Sequence, residues 1–114
     1  MNLIIQHDNV TPNPALDALV ETRLRALSAR QYIEEAIVNL KDEREASPRY
    51  NASIMIRIPG PDMHASSRDH TAQVAVQKAL EAIEAQVRVR HERKRERRRS
   101  QLQQPATERT GRAW

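Results

Sequence analysis

Between residues 88 and 99 the chain carries Arg88, Arg90, Arg93, Lys94, Arg95, Arg97, Arg98 and Arg99 against only Glu92 and Glu96. Eight cations and two carboxylates in that stretch leave a local charge of +6, whereas the other eleven basic and thirteen acidic residues leave −2. Guanidinium groups pair with phosphate oxygens bidentately. A run of this kind therefore neutralises a polyanion and releases its counterions, giving affinity without base reading. The competing interpretation is a solvated helix end whose cations complement the negative end of the helix dipole. Like charges at this density repel one another and call for an anionic partner to order them, which favours polyanion contact. The run by itself does not distinguish rRNA from DNA or an anionic membrane.

A second group, Asp62, His64, Asp69 and His70, invites a metal or acid–base interpretation. Its spacing matches no metal motif, no third His stands near, and the chain has no Cys. The expectation is instead a strand histidine, His64, packed beside Arg57 or Ser53, with Asp69 as the N-cap of a helix. Two Gly cannot build a Gly-rich phosphate loop, and Ser66 and Ser67 lack a nucleophile-elbow context. No catalytic residue, metal, cofactor or small-molecule substrate is expected, and the chain is not expected to be an enzyme. Aromatics are limited to Tyr32, Tyr50 and Trp114. Without a stacking platform, recognition should rest on the shape and backbone of folded RNA.

These residues need a scaffold, and 114 residues allow one domain with one modest core. Net charge is +4 and the pI about 10.1, which points to anionic partners. The start, Met1 to His7, has no charged n-region and an apolar run of only Leu3-Ile4-Ile5, unlike a signal peptide. No stretch approaches the length of a membrane span, so no membrane partner and a cytoplasmic location are expected.

The periodicity supplies the elements. Residues 2–7 read as a strand. Asn13 suits an N-cap and Pro14 the first helical position, after which Leu16, Leu19, Val20, Leu24 and Leu27 mark a helix over about 14–29. Residues 34–43 alternate, with Ala36, Val38 and Leu40 on one face. Residues 50–58 alternate likewise, with Ala52, Ile54, Ile56 and Ile58 inward. Pro59-Gly60-Pro61 marks a turn, and 62–67 a last strand. From about Asp69 a second helix follows, with Val76, Leu80, Ile83 and Val87 as its stripe. The stripe stops near Val87 or Val89. The expected core includes Leu19, Leu40, Ile54, Ile56, Leu80 and Ile83. The predicted fold is α+β, in the order β-α-β-β-β-α, with two helices on one face of a four-stranded mixed sheet. Residues 1–98 form the domain, 88–99 its basic helical extension, and 99–114 a disordered tail of Gln, Pro, Thr, Gly and Arg.

In this order the chain resembles the ribosome hibernation promoting factors, also called ribosome-associated inhibitors or sigma-54 modulation proteins. The resemblance covers about residues 1–95. It is carried by the N-terminal strand, Asn13-Pro14-Ala15-Leu16 with Val20 and Arg23-Leu24, Val38-Asn39-Leu40-Lys41, and above all Met63-His64-Ala65-Ser66 before the long helix. The chain departs from the family pattern at Gln77, where an Asp is usual, at Ala82, where a Lys is usual, and at Ala85, where an Arg is usual. These changes thin the basic surface of the helix and shift positive charge towards 88–99.

The resemblance implies binding to the small ribosomal subunit (16S-type rRNA) near the decoding centre. There the family occludes mRNA and tRNA and idles ribosomes in stress or stationary phase. Short members either promote or oppose ribosome pairing. Arg23 and Lys41 match basic positions of the family, and Lys78 lies opposite Val76 and Leu80 on the second helix. The expected RNA-binding set is therefore Arg23, Lys41, Lys78, Arg88, Arg90, Arg93, Lys94, Arg95, Arg97, Arg98 and Arg99, on a chain that is a monomer off the ribosome. Two alternatives stand beside it: a generic double-stranded nucleic-acid-binding module, and a protein-interaction regulator of transcription.

Overall fold

Alternation of core-facing and outward residues builds four strands, β1 (Asn2–Asp8), β2 (Glu35–Asp42), β3 (Tyr50–Arg57) and β4 (Met63–Asp69). The computed structural model describes the backbone of residues 1–112 and the side chains of residues 1–100. The strands form one sheet in the order β1-β2-β3-β4. β1 runs parallel to β2, with Leu3 opposite Ala36 and Ile5 opposite Val38. β2–β3 and β3–β4 are antiparallel, with Val38 opposite Ile54 and Ile54 opposite Ala65.

The first crossover is α1 (Pro14–Ser28). Asn13 caps it in extended conformation, its side-chain oxygen accepting from the N–H groups of Ala15 at 3.0 Å and Leu16 at 3.4 Å. The second helix, α2, runs Ala72–Arg112. Its backbone thus continues through the basic extension into the residues expected as a tail, 99–114. From residue 101 on, these lie outside the described side chains.

One local expectation is corrected. Asp69 does not cap α2 but ends β4, its carboxylate accepting from the His70 N–H at 2.7 Å and from Lys78 Nζ at 2.6 Å. Thr71 does the capping: its Oγ1 accepts from the Val74 N–H at 3.2 Å and its carbonyl from the Ala75 N–H at 3.1 Å. A hydroxyl two residues later fits the first free N–H groups of the helix, so the strand keeps Asp69. His64 stands directly opposite Met55 in the β3–β4 ladder, with Ser53 and Arg57 diagonal to it on the same face.

Both helices cover one face of the sheet. Leu16, Val20, Leu24 and Leu27 of α1 join Ala75, Val76, Ala79, Leu80, Ile83 and Val87 of α2 over Ala36, Val38, Leu40, Ala52, Ile54 and Ile56. Leu24, Ile54, Ile56, Leu80 and Ile83 are buried essentially completely. Leu19, expected in the core, is half-buried at its margin. The opposite face carries a row of Ile4, Ile37, Met55 and His64 and beside it a row of Gln6, Asn39, Ser53 and Ser66. Among the described residues, no helix is long and apolar enough to cross a membrane.

Candidate nucleic-acid interface

The basic run becomes a site because α2 outlasts the sheet it packs on. Among the described residues Val87 is the last fully buried one of the helix, while Val89 is 41% exposed. Three contacts then fix the base of the extension. Gln86 Nε2 donates to the His64 carbonyl at 2.6 Å, and Arg90 Nη1 donates to the Pro61 carbonyl at 3.1 Å. On another side of the helix the His91 ring pairs with Gln31 Oε1 at 2.8 Å, tying α2 to the segment after α1. Past His91, residues 92–100 are exposed throughout. Continuous helix spaces their cations along about 1.5 Å per residue, so the run from 88 to 99 spans roughly 17 Å.

The cations of the body are placed differently. Arg23 lies between the helices and is half-buried; its Nε donates to Glu84 Oε2 at 3.1 Å and its Nη2 to Glu84 Oε1. The Glu84 carboxylate raises the Arg23 guanidinium above its ordinary value, against the opposing effect of burial. Lys78 pairs with Asp69, Arg49 with the buried Asp42, Arg68 with Glu43, Arg57 with Glu35, and Arg25 with Glu21. Hydrogen bonds from Arg49, Arg68 and Lys78 hold the carboxyls of Asp42, Glu43 and Asp69 below their usual range. By contrast, among the described residues none of the eight cations from Arg88 to Arg99 joins an ion pair with a carboxylate.

The structure therefore brings Arg88, Arg90, Arg93, Lys94, Arg95, Arg97, Arg98 and Arg99 onto one projecting rod and leaves the other three expected residues apart. Lys41 is exposed at the end of β2, on the sheet face away from the helices, in register with Asp8 and Asn51. Lys78 sits about 15 Å down α2 from the start of the run. Arg23 is engaged by Glu84. The members of the Asp62, His64, Asp69 and His70 group do not converge either: His64 is exposed on the open face of β4, while Asp69 points to the helix side and holds Lys78. Among the described residues, no three His, Asp or Glu side chains come together as a metal-binding group.

Sequence reasoning missed the contacts that seat the extension. Gln86, His91 and Gln31 carry no motif, and the turn signal of Pro59-Gly60-Pro61 and the basic character of Arg90 do not say that the two meet; only their meeting in space gives them this role. The turn and the extension enclose an open groove of about 740 Å³. Gly60 adopts φ +92°, a conformation that favours glycine, which lets the chain reverse between its two prolines.

Residues 3–95 match the sequence profile of the family described as Sigma 54 modulation protein / S30EA ribosomal protein. No curated protein matches the chain. Among solved structures, the fold resembles the crystal structure of the N-terminal domain of Thermus thermophilus Protein Y. There the TM-score is 0.64 at 26% identity, covering 76% of this chain and 96% of that one. It also resembles a ribosomal subunit interface protein from Coxiella burnetii, with a TM-score of 0.62, 18% identity, and coverage of 75% of this chain and 92% of that one. At that identity the second likeness concerns the fold alone.

Proposed function

The chain belongs to the Sigma 54 modulation protein / S30EA ribosomal protein family, and from that premise we propose that it binds the small ribosomal subunit near the decoding centre and suppresses translation under stress or in stationary phase. The observation that carries the proposal is the contrast in charge pairing. A family domain with its own cations largely paired holds out a rigidly rooted helix whose eight cations have no carboxylate partner among the described residues. Such a rod gains most from a dense array of phosphates, because each phosphate neutralised releases counterions from the RNA.

In this proposal the α+β body sets orientation and the extension supplies affinity. Arg23 and Lys78 act first on the fold, holding α1 to α2 and the start of α2 to β4, and reach RNA only by leaving or sharing their carboxylates. The contribution of Lys41 comes from the opposite side of the sheet. The chain works as a monomer off the ribosome and within the cytoplasm.

Co-sedimentation with ribosomes and separated subunits on sucrose gradients tests this. Stoichiometric binding to the small subunit that weakens with salt is expected. Combining Arg93→Gln, Lys94→Gln, Arg95→Gln and Arg97→Gln should weaken binding and flatten its salt dependence by up to ~0.7–0.9 in log–log slope per lost phosphate contact. Absence of ribosome binding at low salt, with retention on free duplex, would leave a generic nucleic-acid module in its place. Salt-insensitive capture of a protein would favour a regulator that acts through protein contacts.

A further inference from the structure

The cations of the extension do not form one undifferentiated brush. Eighteen residues make about five helical turns. Arg93, Lys94 and Arg97 therefore stand in line with Ala75, Val76 and Ala79, which are buried against the sheet. Arg90 stands in line with Ala72, at the edge of the same core. The side of α2 that packs on the sheet lower down has run past the end of the sheet by residue 90, and there it is cationic. Instead of strands it faces the Pro59-Gly60-Pro61 turn, and the space between them is the open groove.

The groove has three chemically different parts. Arg90, Arg93, Lys94 and Arg97 form its helix wall, and neither Glu92 nor Glu96 lines it. Pro59, Pro61 and the exposed Val89 give it apolar surface. Asp62 stands on the turn side as a hydrogen-bond acceptor, with His64 nearby. Arg90 joins the walls by donating to the Pro61 carbonyl. Arg88, Arg95 and Arg99 point away on the far side of the helix, the side that also carries Glu92.

The geometry points to a binding site for an unpaired RNA segment in this groove, with phosphates along Arg93, Lys94 and Arg97 and an unstacked base against Pro59, Pro61 and Val89. Charge complementarity selects a polyanion. The sequence offers no aromatic platform and leads to the expectation of folded RNA; the groove instead sets Pro59, Pro61 and Val89 beside the cations, and this apolar surface selects a single strand over a duplex, because a duplex keeps its bases stacked and hidden. Asp62 repels phosphate from the turn side and accepts a hydrogen bond from a base amino group, which sets the strand's orientation across the groove. The inference deepens the ribosome-binding proposal by assigning the RNA contact to one side of the extension, but its test does not depend on ribosomes.

The test compares two charge-matched variants of the full chain. One combines Arg93→Gln, Lys94→Gln and Arg97→Gln in the groove; the other combines Arg88→Gln, Arg95→Gln and Arg99→Gln on the far side. All six positions are exposed, and circular dichroism checks that both variants fold. Fluorescence anisotropy then follows a short, mixed-sequence single-stranded RNA and the duplex of the same sequence across a salt series.

The groove variant should lose about 2 from the log–log salt slope for the single strand, three phosphate contacts at ~0.7 each. The far-side variant should lose clearly less of that slope, because its cations reach only RNA outside the groove, and the parent should prefer the single strand to the duplex. Equal losses in the two variants, or equal binding of single strand and duplex, would overturn the groove. If the oligonucleotide behaves as expected but the chain does not sediment with ribosomes, only the ribosome proposal falls.

Discussion

Residues 72–87 and 88–100 of α2 belong to one helix, yet the first stretch is held by what it buries and the second by almost nothing. In the lower stretch Ala75, Val76, Ala79, Leu80, Ile83 and Val87 are buried on the sheet, while Lys78 and Glu84 pair with Asp69 and Arg23. In the upper stretch every residue past His91 is exposed, and the contacts to Pro61 and Gln31 act only at its base. The backbone geometry is shared, and the difference lies in what each side chain meets. Paired cations in the body contribute to shape, whereas the cations on the rod, with no carboxylate partner among the described residues, remain available to a partner.

The two stretches should differ most when the same charge is placed in each. Ile83→Asp puts a carboxylate where the parent side chain is wholly buried in the apolar core. The expected cost is at least about 3 kcal/mol, a large fraction of a small domain's stability. The variant should melt without cooperativity or at a much lower Tm. Arg97→Asp, on the exposed stretch, should leave Tm within the range of ordinary surface substitutions, about ±0.5 kcal/mol. Thermal melts by circular dichroism decide this, and an equal loss in both would mean that the extension is packed.

Acid should separate the two stretches next. Asp42, Glu43 and Asp69 have carboxyls held below their ordinary range by Arg49, Arg68 and Lys78. As pH falls, the unfolded chain takes up these protons before the folded one does. The stability they contribute is therefore present above the ordinary carboxylate range and is lost as pH falls below about 4 and through the folded values. Tm measured against pH should show a steep acid limb in the parent. That limb should be shallower in Arg49→Gln, which frees Asp42, and unchanged in Arg95→Gln, which frees no carboxylate. An unchanged limb in Arg49→Gln would remove the pair from the account.

The strands, their faces and the order β-α-β-β-β-α were legible because alternation and a 3.6-residue stripe are local signals. Asn13-Pro14 likewise announced α1 through backbone chemistry that acts within a few residues. Asp69 misled because Asp and Thr are both good caps, and the competition from β4 and Lys78 is not local. The basic run was legible as composition. Its two sides were not, because which side of a helix is buried above its last apolar residue depends on where the sheet ends. Arg23 shows the same limit: the sequence marks a cation off the apolar stripe of α1, but Glu84 lies sixty-one residues away and meets it only through the packing of α1 on α2.

A smaller effect measures what that pairing is worth. Arg23 and Glu84 keep about a third of their side-chain surface exposed, 31% and 29%. Solvent screening therefore limits the pair to roughly 0.2–1 kcal/mol. A double-mutant cycle with Arg23→Gln and Glu84→Gln should return a coupling energy in that range. If Arg23→Gln also lowers ribosome affinity, more than Glu84→Gln does, then Arg23 contacts RNA as well as Glu84. Equal effects would confine it to the fold.

The smallest effect concerns the rod without its partner. Along it Arg90 and Lys94, Arg93 and Arg97, Lys94 and Arg98, and Arg95 and Arg99 are like-charged pairs four residues apart, neighbours on the helix surface. Each disfavours helix by about 0.2–0.5 kcal/mol, and salt screens the repulsion. Helical ellipticity of the free chain should therefore rise slightly with added sodium chloride. A single-stranded RNA should produce the same rise at much lower ionic strength, because it brings its phosphates to the cations directly. Arg93→Gln with Lys94→Gln and Arg97→Gln relieves three of these four pairs and should raise the ellipticity in low salt while weakening the response to RNA. A fall in ellipticity would mean that these cations hold the helix through contacts of their own, and the stretch beyond His91 would then join the packed one.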